Sequence, residues 1–322
     1  MKASTLQLIK LINDGKTANE IATTLGISNK QLFNRLLQLK NIGLDYNRQY
    51  YSTGDIIYKK IREINPDTKA TELIMKPDEQ SLDAMVISDT HIGSVNEKID
   101  WLVTIYEFCK KNNIHTILNA GDLIDGLCGS GTHIHQDYME QMEYALSVYP
   151  FDRKILNYVV LGNHDIDSFK KEGIDLRLLL KNYRHDIIPL GYETGIINIQ
   201  KDKIILKHPI HSESRKDKSC LGRDIIFKGH QHRMKIELSD SGGCLVYVPT
   251  LSNIIFSSNS IAGALRLKLT FHSGYIKEMN IKQLHINNHT LNCLNEFSIP
   301  FHREREENNQ VIEETSIKVK EK

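Results

Sequence analysis

The chain has 322 residues, 40% of them hydrophobic, which is enough to bury a sizeable core in one large domain and one small domain. Its 41 lysines and arginines nearly balance its 40 aspartates and glutamates, so the protein as a whole has no strong positive field. Nucleic acid would therefore have to bind at a local patch of basic residues. Five dispersed cysteines without a CxxC pair exclude a disulfide scaffold, and no apolar run reaches the roughly 18 residues of a membrane span, so we expect a cytoplasmic protein without a membrane partner.

Turn signals divide the first forty residues into three predicted helices, at residues 4–13, 17–25 and 28–41. In the third helix, Leu32, Leu36 and Leu39 recur at helical spacing, and Ser28 stands where it can cap the first turn. These features predict a small three-helix core at the start of the chain.

The second and third helices together resemble a helix-turn-helix, with Gly26 at the tight turn between them. Lys30, Asn34 and Arg35 face outward from the third helix, and side chains of these types bind base edges and phosphates. The tyrosine-rich segment 45–60 surrounds a Ser-Thr-Gly-Asp turn and predicts a β-hairpin wing. Residues 1–80 carry only 12 basic against 9 acidic residues, so a module that binds protein instead of DNA is the alternative.

Composition sets the expected domain boundaries. Two prolines and mixed charges in residues 64–81 predict a linker between a helix-turn-helix-like domain at residues 1–63 and a larger domain at residues 82–300. Residues 301–322 are rich in charge and poor in aromatic side chains, which predicts a disordered tail.

Five strand-like apolar runs of the larger domain end in histidine, aspartate or asparagine. These side chains are Asp89, His91, Asp122, Asp125, Asn163, His164, His208, His230 and His232. Mixed histidine and carboxylate ligation favours Mn, Fe, Zn or Co over Ca or Mg. Seven of these residues are candidate ligands, which exceeds the need of one ion and predicts two ions with Asp122 as the natural bridge. His211 competes with His208 as a ligand, but His208 is favoured because it directly follows a predicted strand.

The ordered series D-x-H, G-D-x-x-D, G-N-H-D, H and G-H-x-H resembles the calcineurin-like metallophosphoesterase superfamily over about residues 82–281. The resemblance implies an α/β fold, a four-layer αββα sandwich, with the site at the carboxyl ends of the inner strands. With the module in front of it, the whole chain is predicted to be this sandwich preceded by a small winged helix-turn-helix domain.

The resemblance also implies a role for each candidate residue. The first metal ion is expected to be held by Asp89, His91, Asp122 and His232. The second is expected to be held by Asp122, Asn163, His208 and His230. His164 is expected to face the scissile phosphate as general acid, with its ring oriented by Asp125. Two divalent transition-metal ions are therefore the expected cofactors, Mn first and Fe, Zn, Co or Ni as alternatives.

Two cations can clamp a phosphoryl oxygen and activate a bridging water, while an imidazolium protonates the leaving alkoxide. Gly126 stands where serine/threonine phosphatases of the superfamily carry arginine, which argues against a phosphoprotein phosphatase. Asp125 stands where the double-strand-break-repair nuclease branch usually has histidine, so the match to that branch is partial.

The favoured interpretation is a two-metal phosphodiesterase that acts on nucleic acid and is recruited by the N-terminal helices. One alternative is a phosphodiesterase or phosphomonoesterase for cyclic nucleotides or other small molecules, whose N-terminal module serves assembly, for instance as a homodimer. Another is a DNA-binding regulator with a residual phosphoesterase fold. The fusion of such a module to a compact phosphoesterase resembles proteins encoded by phages and mobile elements.

Further residues are candidates for contact with the substrate. His133 and His135 lie in an insertion between the second and third motifs, and solvated loop histidines are the alternative interpretation. A polyanionic substrate requires a basic path between the module and the site, for which the candidates are Lys170, Lys171, Arg177, Lys207, Arg215, Lys216 and Lys218.

Overall fold

The computed structural model describes residues 3–41, 46–50, 56–60, 70–75, 79–127, 133–210, 224–253, 262–287, 289–301 and 318–321. Its first three helices are α1 (Ala3–Asn13), α2 (Ala18–Thr24) and α3 (Asn29–Asn41), which confirms the three helices predicted from the sequence. Thr17 and Glu20 cap α2 reciprocally. The Glu20 N–H donates to the Thr17 hydroxyl at 3.3 Å, and the Thr17 N–H donates to the Glu20 carboxylate at 2.7 Å.

The apolar faces of these helices close a small core, whose buried members include Leu8, Ile12, Ile21, Leu32, Leu36 and Leu39. Strands β1 (Tyr46–Tyr50) and β2 (Ile56–Lys60) pair antiparallel, as expected for the arms of a hairpin. The tip of that hairpin, residues 51–55, lies outside the described residues. The assignment of this part of the chain as a winged helix-turn-helix domain stays a prediction.

An eight-stranded mixed sheet forms the base of the larger domain, in the order β16-β15-β14-β13-β4-β5-β6-β7. Its parallel half contains β4 (Ser81–Ile87), β5 (Thr116–Asn119), β6 (Leu156–Leu161) and β7 (Ile187–Tyr192). Its antiparallel half contains β13 (Ala264–His272), β14 (Tyr275–Asn287), β15 (Thr290–Pro300) and β16 (Lys318–Glu321). Four helices belong to this domain: α4 (Ile99–Asn112), α5 (Tyr138–Val148), α6 (Asn163–Glu172) and α7 (Leu176–Tyr183).

A six-stranded sheet faces the first, in the order β11-β12-β10-β9-β8-β3. Its members are β3 (Ala70–Glu72), β8 (Thr194–Ile199), β9 (Asp202–Lys207), β10 (Ile225–Lys228), β11 (Lys235–Leu238) and β12 (Cys244–Tyr247). Buried aliphatic and aromatic side chains from both sheets, such as Val86, Val160 and Phe227, share one core. The two sheets therefore pack face to face, as in a metallophosphoesterase sandwich.

Among the described residues, helices cover the outer face of only one of the two sheets. Helices α4 to α7 share a buried core with the eight-stranded sheet and cover its outer face. On the outer face of the six-stranded sheet, Ile226, Leu245 and Tyr247 form a separate cluster, and no described helix packs there. The parallel strands β9 and β10 require a crossover connection, and residues 211–223 of that connection lie outside the described residues. The described chain thus contains three of the four predicted layers.

Two segments correct the predicted boundaries. Ala70–Glu72, placed in the linker by composition, pairs parallel with β8 as an edge strand, because the next residue, Leu73, is buried between the sheets. Lys318–Glu321, placed in a disordered tail, pairs antiparallel with β15, whose free edge offers unpaired N–H and C=O groups. Among the described residues, no helix combines the length and apolarity that crossing a membrane requires.

Candidate metal centre

The seven predicted ligands lie together at the carboxyl ends of five strands. Asp89 and His91 follow β4, Asp122 follows β5 and Asn163 follows β6. From the facing sheet, His208 follows β9, and His230 and His232 follow β10. Because both sheets direct these strand ends to the same side, residues 143 positions apart, such as Asp89 and His232, come within hydrogen-bond distance.

Five of the seven candidate ligands have left-handed backbone conformations, with φ of 56° at Asp89, 44° at His91, 50° at Asp122, 77° at His230 and 50° at His232. L-residues rarely adopt such angles, and each costs about 1–3 kcal/mol. Strain of this kind persists only where the surroundings over-determine it, and it clusters at functional sites. The left-handed turns direct consecutive ligand side chains inward from a short stretch of chain.

The first candidate cation site is formed by Asp89, His91 and His232. The Nε2 atoms of His91 and His232 lie 3.3 Å apart, and Nε2 of His232 lies 3.1 Å from Oδ1 of Asp89. All three side chains are buried. Buried lone pairs that converge in this way need a proton or a cation between them.

The second candidate site is formed by Asp122, His208 and His230, with Asn163 beside them. Nε2 of His208 lies 3.0 Å from Oδ2 of Asp122, and Oδ1 of Asn163 lies 3.2 Å from Nε2 of His208 and 2.9 Å from Nδ1 of His230. Nδ1 of His208 donates to the Ala120 carbonyl at 2.7 Å, which leaves Nε2 as the atom that faces the site. Asp122 also forms a group with His91 and His164, as a bridging carboxylate requires.

The charges of the ligand side chains suit the binding of a cation. Burial lowers the pKa of His208, but the carboxylate of Asp122 outweighs burial and raises it to about 9. Burial raises the pKa of Asp122, but His208 and His164 hold it well below its usual range. Without a metal ion, a proton on His208 balances the Asp122 carboxylate, and a divalent cation would displace that proton. The donor set of nitrogen, carboxylate and amide oxygen therefore fits the transition metals predicted from the sequence.

Glycines of the motifs leave room for these ligands. A Cβ atom on Gly162 would lie 2.2 Å from Oδ1 of Asp122 and 2.5 Å from Cδ2 of His208. Asp165, three residues later, accepts the N–H groups of Gly162, Leu123 and Ile124 at 2.8 to 3.1 Å. This carboxylate therefore ties the start of α6 to the loop that carries Asp122.

His164 stands at the edge of the centre, with an 18% exposed side chain. Its Nδ1 donates to the main-chain carbonyl of Asp125 at 2.5 Å, and its Nε2 lies 4.0 Å from Oδ2 of Asp122. Burial lowers the pKa of His164, but Asp122 and the Asp125 carbonyl raise it more, so the net pKa is raised. The ring is held in one tautomer, with Nε2 as the atom that can exchange a proton.

The predicted contact of Asp125 with His164 needs correction. Oδ1 of Asp125 lies 3.9 Å from Nδ1 of His164, too far for a hydrogen bond. It lies 3.2 Å from Nδ1 of His91, a close contact without hydrogen-bond geometry. Its Oδ2 lies 2.6 Å from Nδ1 of His133. Asp125 therefore orients His164 through its main chain, while its carboxylate lies between His91 and His133.

The predicted substrate-binding residues lie apart from the centre, except His133, whose 7% exposed side chain is not a solvated loop histidine. His135 contacts α5 instead, with its ring 4.9 Å from that of Tyr144. On α3, Lys30 and Asn34 are exposed and Arg35 is half-buried.

Acidic neighbours neutralise part of the expected basic path. Lys171 pairs with Asp167 and Arg177 pairs with Asp175, each at 2.8 Å. His211, Arg215, Lys216 and Lys218 lie outside the described residues.

The candidate metal ligands lie in a segment of the chain that matches a known protein family. Residues 83–234 match the family described as calcineurin-like phosphoesterase. No curated protein matches the chain by sequence.

Several solved structures are similar to the chain at low identity. A single mutant of Vps29 from Entamoeba histolytica is 18% identical, with 69% of this chain and 100% of that chain covered and a TM-score of 0.40. Yfce, a phosphoesterase from E. coli, is 16% identical, with 65% and 96% covered and a TM-score of 0.39. A dimetal phosphatase from Danio rerio is 10% identical, with 69% and 100% covered and a TM-score of 0.41. All seven candidate ligands lie within residues 83–234, the part of the chain that matches the calcineurin-like phosphoesterase family.

Proposed function

We propose that the chain is a dinuclear-metal phosphodiesterase that hydrolyses phosphodiester bonds of nucleic acid. The observation that carries the proposal is the presence of two adjacent ligand groups, one that contains Asp89 and one that contains Asp122, with the His164 imidazole beside Asp122. Hydrolysis of a phosphate ester would benefit from a cation in each of two adjacent sites.

The ligand roles follow from the two groups. Asp89, His91 and His232 would hold one ion, and Asp122, His208, His230 and Asn163 would hold the other. When bound, such ions supply charge stabilisation at the phosphoryl oxygens and lower the pKa of a coordinated water. The neutral Asn163 completes its group without adding negative charge, which keeps the site attractive to an anionic phosphate.

His164 acts as the general acid. Its main-chain N–H donates to Oδ1 of Asp122 at 3.0 Å, so a carboxylate of the ligand set also fixes the position of the acid. With Nδ1 committed to the Asp125 carbonyl, the proton on Nε2 passes to the leaving oxygen as the ester bond breaks. The Asp122 carboxylate raises the pKa of this imidazole, which favours its protonated form.

The nucleic-acid part of the proposal depends on the N-terminal module, residues 1–63. Exposed Lys30 and Asn34 on the third helix of a capped three-helix core support it, because helix-turn-helix proteins contact DNA with polar and basic side chains of their recognition helix.

A small-molecule diester is the second candidate substrate. The ion pairs of Lys171 and Arg177 favour it, since they remove two positive charges from the path that a polyanion would follow. In that case the module serves assembly.

The test is hydrolysis by the full chain with added Mn²⁺, in which bis-p-nitrophenyl phosphate, p-nitrophenyl phosphate, cyclic mononucleotides and labelled single- and double-stranded DNA are compared. Asp122→Ala should abolish every activity because it removes the carboxylate that groups with His208 and His230 and also with His91. Metal-dependent cleavage of DNA supports the favoured substrate. Turnover of small esters alone moves the function to the second candidate, and no turnover of any ester contradicts both.

A further inference from the structure

The insertion between the second and third motifs is fastened to the loop that carries Asp89 and His91. His133 forms an antiparallel bridge with Ser94, and the Ile134 N–H donates to the Gly93 carbonyl at 2.7 Å. From α5, the amide of Gln141 donates to the carbonyls of Gly126 and His135 at 2.8 and 3.1 Å. The insertion therefore holds His133 in one place beside the metal centre.

A second anchor fixes the same loop. Glu97 accepts the Gly93 N–H at 2.7 Å with one carboxylate oxygen and the Tyr144 hydroxyl with the other. Tyr144 belongs to α5, so the helix that follows the insertion and the loop that follows β4 are linked on both sides of His133. The position of the His133 ring is thus set by the fold and does not depend on a bound substrate.

Three side chains form a chain of contacts at this point. Nδ1 of His91 lies 3.2 Å from Oδ1 of Asp125, and Oδ2 of Asp125 lies 2.6 Å from Nδ1 of His133. The Asp125 carboxylate thus has an imidazole nitrogen beside each of its two oxygens, and it links His133 to His91.

Asp125 has a competing partner. Oδ1 also lies 3.9 Å from Nδ1 of His164, so a modest rotation of the carboxylate would bring it to the general acid and away from His91. The 2.6 Å contact of Oδ2 with Nδ1 of His133 opposes that rotation.

We propose that His133 is a positioning residue: through Asp125 it holds His91 with Nδ1 protonated and Nε2 directed at the metal ion of the Asp89, His91 and His232 group. The inference rests on the proposed metal centre. A carboxylate behind a metal-bound histidine raises the basicity of that ligand, and loss of such a partner typically costs about 10- to 100-fold in metal affinity.

The test measures Mn²⁺ binding to the full chain by competition with a fluorescent chelator, resolved into two sites. His133→Ala should weaken one site about 10- to 100-fold and leave the other unchanged. His133→Asn should restore much of the loss, because its amide N–H₂ occupies the place of Nδ1. His135→Asn, two residues away in the same insertion, is the matched control for metal affinity, since that ring contacts α5. His133→Leu replaces the alanine variant if that variant does not fold.

The outcomes separate the inference from the proposed function. If the wild-type chain binds no Mn²⁺, the metal centre itself is wrong. If the wild type binds two ions and His133→Ala binds them equally well, the metal centre stands and the role of His133 is refuted. Equal weakening of both sites, or no recovery with asparagine, also refutes positioning through Asp125 because a general packing defect would have that effect.

Discussion

At the scale of single residues, the Asp125 backbone and side chain have separate tasks. Its carbonyl accepts from the ring of His164, whereas its carboxylate contacts His91 and His133. The proton on Nδ1 of His164 is therefore fixed by a neutral acceptor, and the charge that raises the pKa of His164 comes chiefly from Asp122.

The effect of replacing His164, the proposed general acid, should depend on the leaving group of the substrate. His164→Gln is expected to lower kcat by about 10²- to 10⁴-fold for an alkyl diester and much less for a p-nitrophenyl ester, whose leaving group needs no proton. Because the pKa of His164 is raised and the acid must be protonated, wild-type kcat should fall as pH rises through that pKa. This alkaline limb should be missing in the variant. A variant with the same limb would assign the proton to another group.

The close approach at Gly162 gives a second prediction. In Gly162→Ala, the new Cβ would collide with Asp122 and His208, so the variant should bind Mn²⁺ at least about 10-fold more weakly, and it should lose about 1–3 kcal/mol of unfolding free energy. Gly242→Ala is the control, because Gly242 has φ of 82° and open space around it. That control should lose stability but keep its metal affinity, as measured by chelator competition and urea unfolding.

At the scale of elements, the edge strand β3 joins the first part of the chain to the six-stranded sheet. Ala70 to Glu72 pair with β8, and the Leu73 N–H continues the contact by donating to the Asn198 carbonyl at 2.9 Å. The strand is short, which is how sheets protect an edge from pairing with other chains. Its stabilising contribution should come mainly from the buried side chain of Leu73.

Neighbouring residues of this element provide a matched comparison. Leu73 is 8% exposed, so Leu73→Ala should cost about 2 kcal/mol or more of unfolding free energy through lost burial and a cavity. Ile74 is 87% exposed, so Ile74→Ala should change stability by less than about 0.5 kcal/mol. Urea unfolding of both variants checks the difference. Equal effects would mean that β3 does not contribute to the domain in solution.

At the scale of the whole molecule, α3 of the N-terminal module lies near α7 of the phosphoesterase domain. Helix α6, which begins with Asn163 and His164, precedes α7 directly in the chain. A polyanion held by α3 would thus be anchored to the same body of helices that carries the general acid. The salt dependence of DNA binding is therefore the most direct test of whether the N-terminal module contacts DNA.

Removal of a phosphate contact should reduce that salt dependence. If Lys30 contacts a phosphate, Lys30→Ala should lower the slope of log K against log salt concentration by about one and leave turnover of bis-p-nitrophenyl phosphate unchanged. Lys10→Ala, an exposed lysine on α1, is the control and should keep the wild-type slope. An unchanged slope in Lys30→Ala would remove α3 from the DNA-binding surface and favour an assembly role for the module.

The sequence by itself determined which side chains meet at the metal centre and which segments of the N-terminal module are helices. Ligands that lie two residues apart after an apolar run, as in Asp89 and His91, are local patterns, and so are capped helices with leucines at helical spacing. Such local patterns can be recognised without knowledge of the tertiary contacts, because strand ends and helix caps depend on residues that are close in the sequence.

Only the tertiary structure decided where the Asp125 carboxylate points, that His133 is buried against it, and that Ala70–Glu72 belongs to a sheet and not to a linker. Each of these depends on which distant segment lies nearby. Several histidines lie within a few ångströms of the Asp125 carboxylate, so the sequence did not indicate which of them it contacts. The three-residue strand is too short for its hydrophobic pattern to be recognised in the sequence. Such choices are made by competition among long-range contacts, which local sequence does not encode.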